Sequence, residues 1–473
     1  MKSNDAGEHP PVDLLVEVEG VEEEDESDNT NSSTNNVTGK KNIEDNHKQS
    51  HNNRPRYILP LIVVSQFAGT SLWFAGNAVL PDLVEEWNIS NAARSYLTSV
   101  VQFGFIIGTL LSALTNLADR FQPTGVFLCA AILGAALNAL IPFCNAQLSA
   151  LILLRLLTGV ALAGIYPVGM KVAADWFAEG LGRALGWLVG ALAVGSAIPF
   201  LLRQIDQSWQ ALLWETSGLA AMGGIAVGCL VPDGPHRKPA TRLNSNVVWT
   251  LFADNPPFRS AAMSYWCHMW ELYAFWTWCP AVWEAYFEQQ SSARAWDASA
   301  ITFGVIAMGG LGCVLGGLLS VRFGSAMIAF ASLAVSGSLC LLSPALYQAP
   351  PMIMLIAYLI WGMAVVADSP QFSSLVATTA PATNKGTALT IVNCIGFAVT
   401  IASIELLGVP LGERYLFLLL APGPMLGLWC MRDLVSQAFR NQPVSVSDGR
   451  ADQEMAGAQH NGSKELEITS EDD

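Results

Sequence analysis

Residues 299–346 read SAITFGVIAMGGLGCVLGGLLSVRFGSAMIAFASLAVSGSLCLLSPAL, two apolar runs on either side of Val321-Arg322-Phe323-Gly324, with Arg322 as the one charged side chain. About twenty consecutive apolar residues cross a hydrocarbon core as a helix, and a short break carrying an arginine reads as a turn at the water interface. The pattern recurs to either side. Twelve spans are expected, numbered in chain order, near 57–80, 96–115, 124–144, 148–170, 184–202, 210–231, 258–283, 299–320, 325–346, 351–371, 387–408 and 414–431. Only 13% of residues are charged, against about a quarter in a soluble domain. The chain therefore reads as an all-α integral membrane protein.

The flanks are of different material. Residues 1–53 carry thirteen acidic against four basic residues and residues 441–473 eight against two, so the net charge of −15 belongs to the two ends. Both are polar, poor in large apolar side chains and expected to be disordered tails. The segment between them is neutral, which excludes the basic face that nucleic acid requires. The acidic start is the opposite of a signal peptide, so insertion is expected to rely on the first span. All nine cysteines fall inside apolar stretches without paired metal-ligand spacing. They read as small core residues, and neither a metal nor a cofactor is expected.

The polar stretch Pro232–Pro257 divides the spans into six and six. A shift of about two hundred residues lays Gly108…Arg120-Phe121 on Gly310…Arg322-Phe323, Gly159…Tyr166-Pro167 on Gly362…Ser369-Pro370, and Gly182-Arg183-Ala184-Leu185 on Gly386-Thr387-Ala388-Leu389. Two pseudo-symmetric halves are expected, 54–231 and 258–440, joined by a cytoplasmic loop at 232–257. Placing the N-terminus inside puts thirteen basic residues on the cytoplasmic side and four outside. Both tails are therefore expected in the cytoplasm, with the protein in the plasma membrane or an endomembrane.

Leu117-Ala118-Asp119-Arg120 after span 2 and Gly317…Arg322-Phe323-Gly324 after span 8 resemble the repeated loop motif of the major facilitator superfamily, Gly-x-Leu-Ala-Asp-Arg-x-Gly-Arg-Arg/Lys. The first copy departs from it at Thr115 and at Gln122-Pro123-Thr124, and the second has Val321 in place of the aspartate. The resemblance covers roughly residues 54–440 and implies the major facilitator fold of twelve helices. It also implies a cytoplasmic gate resting on Asp119, Arg120 and Arg322, which positive-inside charges with a helix cap would equally supply for the arginines. Arg155-Leu156-Leu157-Thr158-Gly159 in span 4 resembles the family motif Arg-x-x-Gln-Gly, whose arginine is associated with coupling or anion binding. An intramembrane guanidinium is costly unless it meets a counter-charge or water, so Arg155 is a functional candidate. Its bland reading is a structural ion pair or an arginine snorkelling to the outer surface.

Span 1 places Gln66, Thr70, Trp73 and Asn77 along one helix side. The repeat offset puts His268 on the matching face of span 7, with Glu271 one turn further on. Both are expected near the interface of the halves. A buried carboxylate without a partner can load and unload a proton, whereas Arg155 as partner would hold it charged. The alternative for either is a hydrogen bond between neighbouring helices. Asp368 is placed at the cytoplasmic end of span 10, and the run Asp368-Ser369-Pro370-Gln371, where proline is expected to break the helix, ranks as gate or binding residues. Trp361 is too central for an interfacial belt, and Tyr166 matches Ser369 in the repeat. The candidate binding or coupling set is thus Arg155, Glu271, His268, Gln66, Trp73, Asn77, Tyr166, Trp361 and Asp368.

These residues imply a secondary transporter of a small polar or anionic solute working by alternating access, as a monomer, with protons as a candidate coupling ion. Span 5 lacks Gly-Pro-x-x-Gly-Gly, the antiporter signature of the family's drug exporters. No nucleotide-binding loop or hydrolase motif is present, so an enzyme is not expected. The competing reading is a non-transporting sensor or scaffold that uses its acidic tails for protein interaction.

Overall fold

A computed structural model describes residues 55–89, 93–177, 181–205, 208–237, 245–290, 296–381, 384–409 and 412–440. The tails lie outside the described residues, as does part of the central loop. Among the described residues every regular element is helical, and each of the twelve apolar stretches is occupied by helix. Among the described residues nine helices are long and apolar enough to cross a membrane; Ile58–Thr70 and Pro123–Ala139 are shorter apolar helices. Large apolar side chains such as Leu111, Leu153, Leu341 and Ile356 stay exposed on the bundle surface. That arrangement suits hydrocarbon as solvent, where backbone polar groups must be satisfied inside each helix and side chains need not be hidden.

Local chemistry sets the helix starts. Ser208 accepts from the Ala211 N–H, Asn255 from that of Phe258, and Asp297 from those of Ser299 and Ala300. Each occupies donors that the first turn cannot pair internally. Asn116, at φ 51°, turns the chain into the one-turn helix Leu117–Arg120, a left-handed conformation asparagine tolerates.

Two spans run on past the residues expected to end them. In span 4, Leu148–Leu162 and Tyr166–Trp176 form one membrane-length unit, and in span 10 so do Pro351–Ala367 and Ser369–Thr379. Pro167 and Pro370 sit in the first turn of each second segment, where the missing N–H costs nothing. The Phe372 N–H donates to the Asp368 carbonyl and carries the helix across the kink. Asp368 is therefore eleven residues from the end of its span, roughly 16 Å inside, and not at the cytoplasmic end.

The repeat is visible in backbone packing. A Cβ on Gly159 would run into the Val101 carbonyl oxygen of span 2, and one on Gly362 into that of Val305 of span 8. Gly104 meets Leu156 in the same way, and Gly312 meets Met363. Spans 2 and 4 thus approach as spans 8 and 10 do, through glycine. Gly362→Ala is expected to destabilise the fold by about 1–3 kcal/mol, the range for overpacking. Gly386→Ala, with open space around it, should be silent. Thermal unfolding of the purified variants in detergent measures both.

Candidate functional site

Span 1 is interrupted between Ile58–Thr70 and Ala75–Ala78. The interruption frees carbonyls from the helical ladder, and Arg155 takes two of them. Its Nη1 donates to the Leu72 oxygen at 3.0 Å and its Nη2 to the Trp73 oxygen at 2.5 Å, while Nε finds no partner. Arg155 is fully buried, and no acidic side chain among the described residues reaches ion-pair range of it. Cationic charge at a helix C-terminus is favourable, which explains how a guanidinium is held there without a carboxylate. Asn77 donates to Thr98 Oγ1 at 2.6 Å. Both amide atoms of Gln66 are buried without a hydrogen-bond partner, beside Gly169 of span 4. Tyr166 opens the second segment of span 4 and is half-buried.

In the second half Glu271 accepts three hydrogen bonds: from Trp361 Nε1 at 2.6 Å, Ser336 Oγ at 2.9 Å and Cys340 Sγ at 3.4 Å. These donors belong to spans 9 and 10, so Glu271 points into its own half and not toward the interface expected from the repeat. Its helix position allowed either direction, and the hydrogen-bonding side chains of spans 9 and 10 decide between them. Neither Arg155 nor any other cation among the described residues pairs with it. One turn away, His268 Nδ1 lies 3.0 Å from Asp368 Oδ1 and Nε2 lies 2.8 Å from Ser369 Oγ. Acid, imidazole and hydroxyl stand in series, an arrangement in which a proton shifts between neighbours without large movement.

An aromatic layer joins the halves. Trp73 of span 1 stacks on Tyr273 of span 7 at 5.6 Å and on Phe397 of span 11 at 5.8 Å, and Phe105 of span 2 lies 4.5 Å from Phe397. Polar links close one end of the bundle, where Arg94 of span 2 bonds Glu284 of span 7 at 3.3 Å and Gln204 bonds Asp297 at 2.6 Å. At the opposite end Asp119 pairs with Lys171 of span 4 at 2.7 Å, and Arg237 donates to the Asp119 and Phe121 carbonyls. These contacts tie the motif loop to its own half. Arg322 lies over the neighbouring Phe323 ring.

The sequence profile of the Major Facilitator Superfamily matches residues 61–404. The chain belongs to that superfamily. Membership makes it a membrane transporter. No curated protein is significantly similar to it. A solved structure, the human organic anion transporter MFSD10 (TETRAN), aligns with a TM-score of 0.62 at 14% identity, covering 80% of this chain and 100% of its own. At that identity the likeness shows the fold alone.

In this Major Facilitator chain the candidates fall into separate groups: Arg155 against the Trp73 backbone, Glu271 with Trp361, and His268 with Asp368. Sequence reasoning missed the partners Ser336 and Cys340 and the Arg94–Glu284 link. Ser369 lies in the run the sequence singles out with Asp368, and Lys171, Arg237 and Arg94 signal only as basic residues near the membrane interface, without their partners. Because Glu284 is 41% exposed, its pair is worth at most about 1 kcal/mol. Glu284→Gln should therefore weaken this link by about fivefold or less, read as faster labelling of a cysteine introduced at Ser99.

Proposed function

We propose that this chain is a secondary active transporter that moves a small polar or anionic solute by alternating access and couples it to protons through Glu271. The observation that carries the reading is the unequal linkage of the two ends. The halves are joined through Arg94–Glu284 and Gln204–Asp297 at one end, while the motif acid Asp119 at the other end is held inside its own half. Such a pattern is one of two packings of a bistable pair of bodies. With the basic residues inside, the linked end is extracellular and the conformation faces the cytoplasm.

Two measurements test the reading. Purified protein is screened against a solute library by thermal shift, and the stabilising solutes are tested for uptake into proteoliposomes with and without an inward proton gradient. Uptake that rises with the gradient supports the proposal; stabilisation without uptake would remove transport. Orientation is tested with cysteines introduced at Ser245 and Ser292, which should label from opposite sides, Ser245 from the cytoplasm.

Asp119→Asn should lower transport while expression stays normal, since Lys171 loses its nearer partner and keeps only Asp175 at 3.8 Å, while the Arg237 bonds to the loop backbone remain. Unchanged uptake would show that the loop holds no gate.

A further inference from the structure

Three unpartnered hydrogen-bond donors lie around the break in span 1. The indole N–H groups of Trp266, Trp270, Trp278 and Trp361 each reach an oxygen. Those of Trp73, Trp276 and Trp283 are fully buried and reach none; Trp73 and Trp276 belong to this region, and Arg155 Nε is in the same position. Each is tied to the break by a contact of its own residue. Arg155 grips the Trp73 carbonyl, and Trp276 sits edge-on to Phe74, the next residue, at 6.0 Å. Buried donors left unpaired carry a desolvation cost, so a site made of them is completed by an acceptor. The guanidinium adds a positive charge that no carboxylate among the described residues balances.

The same residues carry the aromatic layer. Trp73 stacks on Tyr273 at 26° between planes and on Phe397 at 24°, so rings of both halves face each other nearly parallel. Offset-stacked rings are attracted at centroid distances of about 4.5–7 Å, and a flat ring can take the place of either partner when the halves part. A layer built from both halves is where a transported solute must be handed from one face to the other.

We infer that the solute is a planar organic anion, an aromatic ring bearing a carboxylate or similar acceptor group, with its ring held in the Trp73–Tyr273–Phe397 layer and its oxygens facing the Trp73 and Trp276 N–H groups and Arg155 Nε. This rests on the transport reading above and names its substrate class. It assigns Phe397 and Trp276 to the site alongside Trp73, and it gives Arg155 a ligand through the one nitrogen its backbone contacts leave free.

Purified protein is titrated with 2-naphthoate, with cyclohexanecarboxylate, which keeps the charge and loses the flat ring, and with 2-naphthamide, which keeps the ring and loses the charge. Uptake of each into proteoliposomes is followed in parallel. Expected is binding of 2-naphthoate at least tenfold tighter than either analogue. Phe397→Leu should bring 2-naphthoate down to the level of cyclohexanecarboxylate, and Trp276→Phe should weaken it severalfold while the preference for a ring persists. Melting temperatures of both variants within a few degrees of wild type keep the comparison valid, and Phe397→Tyr, which retains the ring, serves as the rescue. Equal affinity for the three probes, or binding of none, overturns the inference. Gradient-driven uptake of a non-aromatic library solute with no naphthoate binding would sink the inference and leave the transport reading standing. Selective naphthoate binding without any uptake would overturn the transport reading and with it the assignment of a transported solute.

Discussion

In proteoliposomes, Glu271→Gln is expected to abolish pH-driven accumulation while exchange of preloaded solute continues near the wild-type rate. A one-unit pH gradient stores about 1.4 kcal/mol per proton, enough for about tenfold accumulation at one proton per solute. The variant should show none. The amide cannot release a proton, but it preserves the local structure. Its oxygen still accepts from Trp361, and its NH2 can donate to Ser336, whose hydroxyl rotates to accept. Exchange needs the halves to rock but requires no net proton release, so it survives. A Glu271→Gln protein that still accumulates solute would shift the proton site to the His268–Asp368 pair. Loss of exchange together with accumulation would instead make Glu271 a packing residue of spans 7, 9 and 10.

The second large effect is expected at Arg155. Arg155→Ala leaves the Leu72 and Trp73 carbonyls buried without their donor, and each such group costs about 1–3 kcal/mol. The variant should express poorly and melt well below wild type. Arg155→Lys keeps the charge and can still reach one carbonyl, but it loses the planar fork that serves both. It should fold, with solute affinity lower by about 1–2 kcal/mol, roughly 5- to 30-fold. Affinity is read by titration of the purified variant and stability by its melting curve. A Lys variant with wild-type affinity and a lowered melting temperature would define Arg155 as a clamp on span 1 alone. Gly76→Ala offers an independent route, because its Cβ would come within 2.9 Å of Arg155 Nε and push on the guanidinium without changing its chemistry.

Much of the architecture was legible in residue order, for a physical reason. In hydrocarbon each backbone group must find its partner within its own helix, so the length and polarity of a run decide whether it crosses, independently of its neighbours. The breaks at Val321-Arg322-Phe323-Gly324 and Pro232–Pro257 and the paired Tyr166-Pro167 and Ser369-Pro370 positions are all local signals of this kind. Gly159 and Gly362 belong with them, since a glycine at matching places in two halves marks the same close approach.

The site was decided by tertiary structure. Helix periodicity fixes which residues share a face but not how each helix is rotated against its neighbours, and that rotation selects the partner of every buried polar group. Glu271 could have met Arg155, and instead it meets Trp361, ninety residues along the chain, with Ser336 and Cys340. Arg155 was readable as an intramembrane charge, but the two carbonyls it holds exist as acceptors only because span 1 breaks beside span 4. Asp119 was readable as a motif acid, yet its partner Lys171 lies on the continuation of span 4 beyond its kink, where the apolar pattern had already ended. Sequence alone therefore determined which segments are apolar enough to enter the membrane, because that choice is settled inside each helix, whereas the break in span 1 emerged only in the fold. Only packing decided which charges stand alone and which are paired, because that choice is settled between helices.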